Sequence, residues 1–84
     1  MIRLIFSVFD QKTNAYLDPV YYRSKGEAVR AMRDALANEE HQFAKHAEDY
    51  TLFELGDFDD TTGSFNLFNT PQALAKAIEL KQEV

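Results

Sequence analysis

Three groups of residues in this chain have side chains of the kinds that do chemistry. Asp57, Asp59 and Asp60, followed by Thr61 and Thr62, make an oxygen-rich cluster of the sort that binds calcium. His41 and His46 are the two imidazoles, the side chains best suited to metal ligation and proton transfer. Arg23, Lys25, Arg30 and Arg33 lie beside Tyr21 and Tyr22. Cations next to aromatic rings hold single-stranded nucleic acid, by neutralising phosphates and stacking bases.

The spacing weighs against the first two. A calcium loop counted from Asp57 needs Gly at its sixth position and Glu at its twelfth, and the chain has Thr62 and Phe68 there. A solvated acidic hairpin tip is the favoured reading, and such a tip also discourages edge-to-edge aggregation. The two histidines are five apart, so they do not share a helical face, and no His-Glu-x-x-His pattern occurs. They read as a surface pair. The three glycines are scattered, and no nucleophile motif, phosphate loop or dinucleotide fingerprint is present. The expectation is therefore a protein that is not an enzyme, with no catalytic residue, metal or cofactor. For the basic set the competing reading is a solvated helix face with weak Glu27–Arg30 and Arg30–Asp34 pairs, and the net charge of −5 favours it.

The charge is uneven. Residues 1–33 carry six bases against three acids (+3), and residues 34–84 three bases against eleven acids (−8). Such asymmetry marks either a polyanion-binding face on an acidic body or two halves that attract each other, within or between subunits. At 84 residues the chain makes one α+β domain, 1–84, whose core is small enough that pairing with a second copy would help. It has no cysteine, which excludes disulfides and thiolate metal sites. No segment is long and apolar enough for a bilayer or a signal peptide, so a soluble, cytoplasmic protein without membrane contact is expected.

Residues 2–9 read as a central strand, apolar on both faces: Ile2, Leu4, Phe6 and Val8 against Arg3, Ile5, Ser7 and Phe9. Tyr16-Leu17 can begin a second extended piece, which Pro19 makes an edge strand or none, and Val20-Tyr21-Tyr22-Arg23 is again extended. Ser24-Lys25-Gly26-Glu27 fits a capping box, and the helix it opens should run to about residue 37 with Ala28, Val29, Met32, Ala35 and Leu36 inward. Asn38 can cap a further helix that buries Phe43, Ala44 and Ala47. Tyr50 to Phe58 is a strand, residues 59–63 a hairpin loop, and residues 64–68 the returning strand. Thr70-Pro71 predicts the start of a last helix that carries Leu74 and Ile78.

The expected fold is a small antiparallel or mixed sheet of three to four strands, with two to three helices mainly on one face. If strands 2–9 and 50–58 are neighbours, the intervening helix should make them parallel through a right-handed crossover. Helices on one face leave the other bare. Ile5, Phe9, Tyr50 and Leu52 are placed there, as a homodimer interface or a base-stacking platform, the dimer being the simpler reading for so small a domain.

Three stretches also resemble a known family: Val20-Tyr21-Tyr22-Arg23-Ser24-x-Gly26-Glu27-Ala28-x-Arg30, Lys45-His46-x-Glu48-Asp49-Tyr50-x-Leu52-Phe53 and Gly56-x-Phe58-Asp59-Asp60. With the opening Phe6-Ser7-Val8-Phe9-Asp10, they are similar to the small nonstructural protein of gokushovirus-type microviruses, bacteriophages with single-stranded DNA genomes. Ala47 stands where that family often has Pro. The resemblance implies an accessory protein of the host bacterial cytoplasm. It implies DNA binding and a part in the switch from genome replication to packaging. The alternative is a homodimeric interaction module that contacts a replication or procapsid protein and no DNA.

Overall fold

A computed structural model describes residues 1–83. The elements in order are β1 (Ile2–Asp10), β2 (Ala15–Tyr16), β3 (Val20–Tyr22), α1 (Lys25–Ala37), α2 (Gln42–Lys45), a 3-10 turn (Ala47–Asp49), β4 (Tyr50–Asp59), β5 (Ser64–Lys76) and α3 (Ala77–Glu83). β1 is central, with β2 and β3 along one side and β4 then β5 on the other. Every pairing is antiparallel, which makes this an α+β fold. Among the described residues, no helix is long and apolar enough to cross a membrane.

The expected parallel pairing of strands 2–9 and 50–58 is not what forms. β1 and β4 are antiparallel, from Ile2 opposite Asp59 to Asp10 opposite Tyr50. The reason lies in the short edge strands. β3 pairs Tyr22 with Leu4, so it has already brought the chain back toward the Ile2 end of β1. α1 then returns along the sheet, and β4 starts beside Asp10, where Gln11 N–H donates to the Asp49 carbonyl at 2.8 Å. The strands that a helix joins in parallel are β3 and β4, which flank β1.

α1 starts as its sequence dictates. Ser24 Oγ accepts from Glu27 N–H at 3.2 Å, and Glu27 Oε1 reaches back to accept from Arg23 N–H at 3.0 Å, one residue earlier than a strict capping box. Ala28, Met32 and Leu36 are its buried stripe. α2 is shorter than expected and is capped differently. His41, and not Asn38, is its N-cap, with Nδ1 accepting from Phe43 N–H at 3.0 Å. Asn38 Oδ1 accepts from Glu40 N–H in the turn before it. Ala44 and Ala47 are buried as expected, and Phe43 packs against the core.

The last helix is the other correction. Thr70-Pro71 opens no helix; β5 continues through both residues to Lys76, and α3 begins at Ala77. The first part of β4 needs a ladder partner, and Gln72, Ala73, Ala75 and Lys76 supply it. Proline is tolerated because β5 is an edge strand and residues 68–71 lie in an irregular stretch of the pairing. Opposite that stretch β4 bends at Gly56. Its φ of +147° and the close Asn66 carbonyl and Leu67 Cα leave no room for a Cβ. Gly63, at φ +74°, closes the β4–β5 hairpin.

The core lies between the sheet and the helices. Phe6, Tyr50 and Leu52 meet Ala28, Met32, Leu36, Ala44, Ala47, Ala77 and Leu80 there. Tyr50 and Leu52 thus occupy the helix-covered face and not the bare one. The antiparallel register sets Leu52 opposite Val8 and next to Phe6, while Thr51 and Phe53 turn the other way with Phe9 and Ser7.

Candidate nucleic-acid interface

The face of the sheet that the helices leave uncovered is built by alternation. From β1 it takes Arg3, Ile5, Ser7 and Phe9, and their cross-strand partners extend it. Tyr16 lies opposite Phe9, and Tyr21 opposite Ile5. Phe53 lies opposite Ser7, and Phe58 opposite Arg3. Phe65 and Leu67 continue the rows on β5, beside Phe58 and Gly56.

These rings close over the central strand. Tyr16 and Phe53 come from strands on opposite sides of β1, yet their centroids are 5.5 Å apart in an edge-to-face contact, with Phe9 touching both. Tyr21 and Phe58 repeat the arrangement further along at 6.3 Å, and Phe58 stacks against Phe65 at 4.8 Å. Beneath this roof Ile5 is only 3% exposed and Ser7 1%, with Ser7 Oγ donating to the Leu17 carbonyl at 2.6 Å. The roof itself faces solvent: Tyr16, Tyr21, Phe65 and Leu67 are all exposed. Of the expected interface set, Ile5 and Phe9 are on this face, with Ile5 already covered, and Tyr50 and Leu52 are in the core.

The charged residues in the ladder of this face are basic. Arg3, in the row of Phe58 and Phe65, and Lys76, opposite Thr51, are these residues, and among the described residues no carboxylate occupies a ladder position on this face. Asp57 and Asp59 take the other alternation, opposite Leu4 and Ile2. Asp60, from the hairpin loop, reaches Arg3 Nε at 3.5 Å and the terminal amine of Met1 at 2.8 Å. The hydrogen bond from that amine holds the Asp60 carboxyl below its ordinary range and raises the amine in return. A cleft of about 290 Å³ opens at this end, lined by Met1, Arg3, Tyr21, Tyr22, Arg23 and Glu27.

The basic set around α1 is divided by the fold. Tyr21 is on the aromatic face, whereas Tyr22 points the other way and packs on Phe6, with ring centroids 6.0 Å apart. Lys25 Nζ lies 3.7 Å from the buried Glu54 carboxylate, and Arg33 is paired with Glu83 at 2.9 Å. Arg23 borders the cleft, and Arg30 is exposed on α1. Arg23 and Tyr21 are therefore together, and Arg30 and Arg33 stand apart from them. Tyr16, Phe53, Phe58, Phe65, Arg3 and Lys76 were missed. Arg3 and Phe9 already shared an alternation with Ile5 in the sequence; Phe53 and Phe58 needed the register of β4 against β1, and Phe65 and Lys76 the course of β5.

Asp59 and His41, two of the other candidates, have structural roles. Asp59 Oδ1 accepts from Thr61 N–H at 2.9 Å, which shapes the hairpin tip. His41 is a helix cap stacked on Phe43. His46, Glu48 and Asp49 can bring ligand atoms within 4.8 Å of one another, at an exposed turn where acidic groups commonly gather without an ion. A model of the phage ORF5 protein family matches residues 3–80. The chain belongs to that family. The match spans β1 from Arg3 through the first turn of α3, so the aromatic face and all of the cleft except Met1 are built from family sequence. This is a phage protein, as the resemblance implied. Neither the curated proteins nor the solved structures offer a match.

Proposed function

We propose that this phage accessory protein binds single-stranded nucleic acid on the aromatic face of its sheet. The observation that carries the reading is a face with exposed Tyr16, Tyr21 and Phe65 whose ladder charges are all positive, in a chain of net charge −5. Flat sheets with exposed rings stack unpaired bases in known RNA- and DNA-binding modules. In this reading Tyr21 and Tyr16 stack bases, and Arg3 and Arg23 flank the cleft beside Tyr21 and neutralise phosphate. The small number of cations makes stacking the main source of affinity. In a phage of the microvirus type, such binding would serve the passage from genome replication to packaging of single strands.

Fluorescence anisotropy with a labelled oligothymidylate tests this. Two or three phosphate contacts to a single strand give a log–log salt slope of about −1.4 to −2.1. Tyr21→Ala should weaken binding about 5- to 150-fold, the span of about 1–3 kcal/mol per stacked base. Absence of binding at low salt sinks the proposal. Exposed Phe65, Leu67 and Phe68 favour a second reading, a module that holds a replication or procapsid protein without DNA. That reading gains if the oligonucleotide is ignored and a phage protein is retained.

A further inference from the structure

The two edges of the sheet are treated differently. One edge consists of β2 and β3, two and three residues long, with Pro19 between them. Short strands and proline are standard ways to stop a sheet from adding a further strand. The other edge is β5, thirteen residues long, and among the described residues it pairs with β4 alone. Its second half is guarded in the same manner, by the irregular stretch at 68–71, by Pro71 and by α3 packed nearby. Its first half, Ser64-Phe65-Asn66-Leu67-Phe68-Asn69, has no charge and no proline, and all six residues are exposed. Phe65 is 57% exposed there and Leu67 62%.

We propose that this unguarded segment pairs antiparallel with the same segment of a second copy, about a twofold axis through Asn66. The segment is complementary to itself. Centring on Asn66 sets Phe65 opposite Leu67 of the copy, both on the aromatic side, and Ser64 opposite Phe68. Direction follows from charge. Asp57 lies beside Asn66, whose side-chain N–H donates to it at 3.0 Å, and stays near the axis in either direction, while Asp59 and Asp60 crowd the hairpin end of each copy. A parallel pairing would bring these acids together, whereas the antiparallel one separates the two tips by roughly 25 Å of strand. The axis stands perpendicular to the sheet, so both aromatic faces point the same way and one platform runs across the pair. An 84-residue chain with a small core gains a second source of burial by it.

The chain has no cysteine, so single cysteines give clean cross-linking. Directly opposed residues of an antiparallel pair have Cα atoms about 4.5–5.5 Å apart, within disulfide range. Asn66→Cys should therefore cross-link to its own copy on mild oxidation, and Arg30→Cys on the outer side of α1 should not. Sedimentation of the full chain from about 1 to about 200 µM, the span over which a micromolar dimer dissociates, should show a monomer–dimer equilibrium. Leu67→Asp should weaken it at least tenfold and leave the melting curve unchanged at concentrations where both proteins are monomeric, since Leu67 is mostly exposed. A chain that is monomeric throughout overturns the proposal. So does a dimer that is indifferent to Leu67→Asp and whose Asn66→Cys variant cross-links no faster than its Arg30→Cys variant. None of these measurements contains nucleic acid, so the result is separate from the binding proposal.

Discussion

The two faces of the sheet are sealed by different means. On one, separate elements do the work: α1, α2, the 3-10 turn and α3 cover Phe6, Tyr50 and Leu52. On the other, side chains from flanking strands lean over β1 and hide Ile5 and Ser7 without any added backbone. The first solution buries large side chains fully and fixes the fold. The second leaves the covering rings themselves half in water. A face of that kind can give its rings to a ligand at little cost to stability, because the ladder beneath is held by β1, β3 and β4 hydrogen bonds and by the opposite core. The comparison teaches where function can reside in a domain too small to spare core residues.

The sharpest way to break this comparison is to truncate one ring on each face. Phe6 is fully buried, so Phe6→Ala should lower the unfolding free energy by about 3–5 kcal/mol. Tyr21→Ala on the other face should stay within about 1 kcal/mol. Urea denaturation of the two variants decides it: similar losses would mean that the aromatic roof is core after all. Next in size is Gly56→Ala. The residue has a left-handed φ, and an added Cβ would meet the Asn66 carbonyl and Leu67 Cα, so a loss of about 2–4 kcal/mol is expected. Gly56 shares its row with Ile5, so the strain should also loosen the Tyr21–Phe58 contact. Near-ultraviolet circular dichroism would report that.

The helix-covered face was the more legible of the two in the sequence. Ser24 and Glu27 announced α1, its period of apolar residues named Ala28, Met32 and Leu36, and the alternation of β1 showed a strand covered on both sides. The aromatic face was legible only by halves. Ile5 and Phe9 could be read from β1, but the partners on β4 depended on a register that no local pattern fixes: Tyr50/Leu52 and Thr51/Phe53 alternate equally well. Choosing the wrong set moved two core residues to the surface. The Thr70-Pro71 signal failed for a related reason. Local capping chemistry is worth about 1 kcal/mol, and the ladder between β4 and β5 outweighs it. His41 as a cap was hidden because imidazole is an uncommon residue there.

A smaller effect tests how dry the helix side is. Glu54 is 4% exposed, its Oε1 has no hydrogen-bond partner, and Lys25 Nζ lies 3.7 Å away with its own side chain largely in solvent. Removing one partner of a buried pair leaves an uncompensated charge. Because Lys25 is mostly solvated, the loss on Lys25→Ala is discounted to about 1–2 kcal/mol. Glu54→Gln in the same background should recover much of it. If Lys25→Ala is neutral in thermal melts, water reaches Glu54 and that corner of the face is as wet as the aromatic one.

The smallest effect belongs to Tyr50, at the other end of the same face. Burial raises the pKa of its phenol above the ordinary 10.0, and the nearby carboxylates of Asp10 and Asp49 push it the same way. The unfolded chain then loses this proton before the folded one does. Stability from this group is intact below about pH 10 and declines as pH rises toward the folded value. Chemical denaturation at a series of alkaline pH values should show that decline in the wild type and a shallower one in Tyr50→Phe. The variant also gives up the hydrogen bond from the hydroxyl to Gln42 Oε1, which at 3.4 Å is long and worth little. Equal slopes for the two proteins would place the phenol in contact with water, and the contrast between a sealed face and an open one would then fail at its best-covered tyrosine.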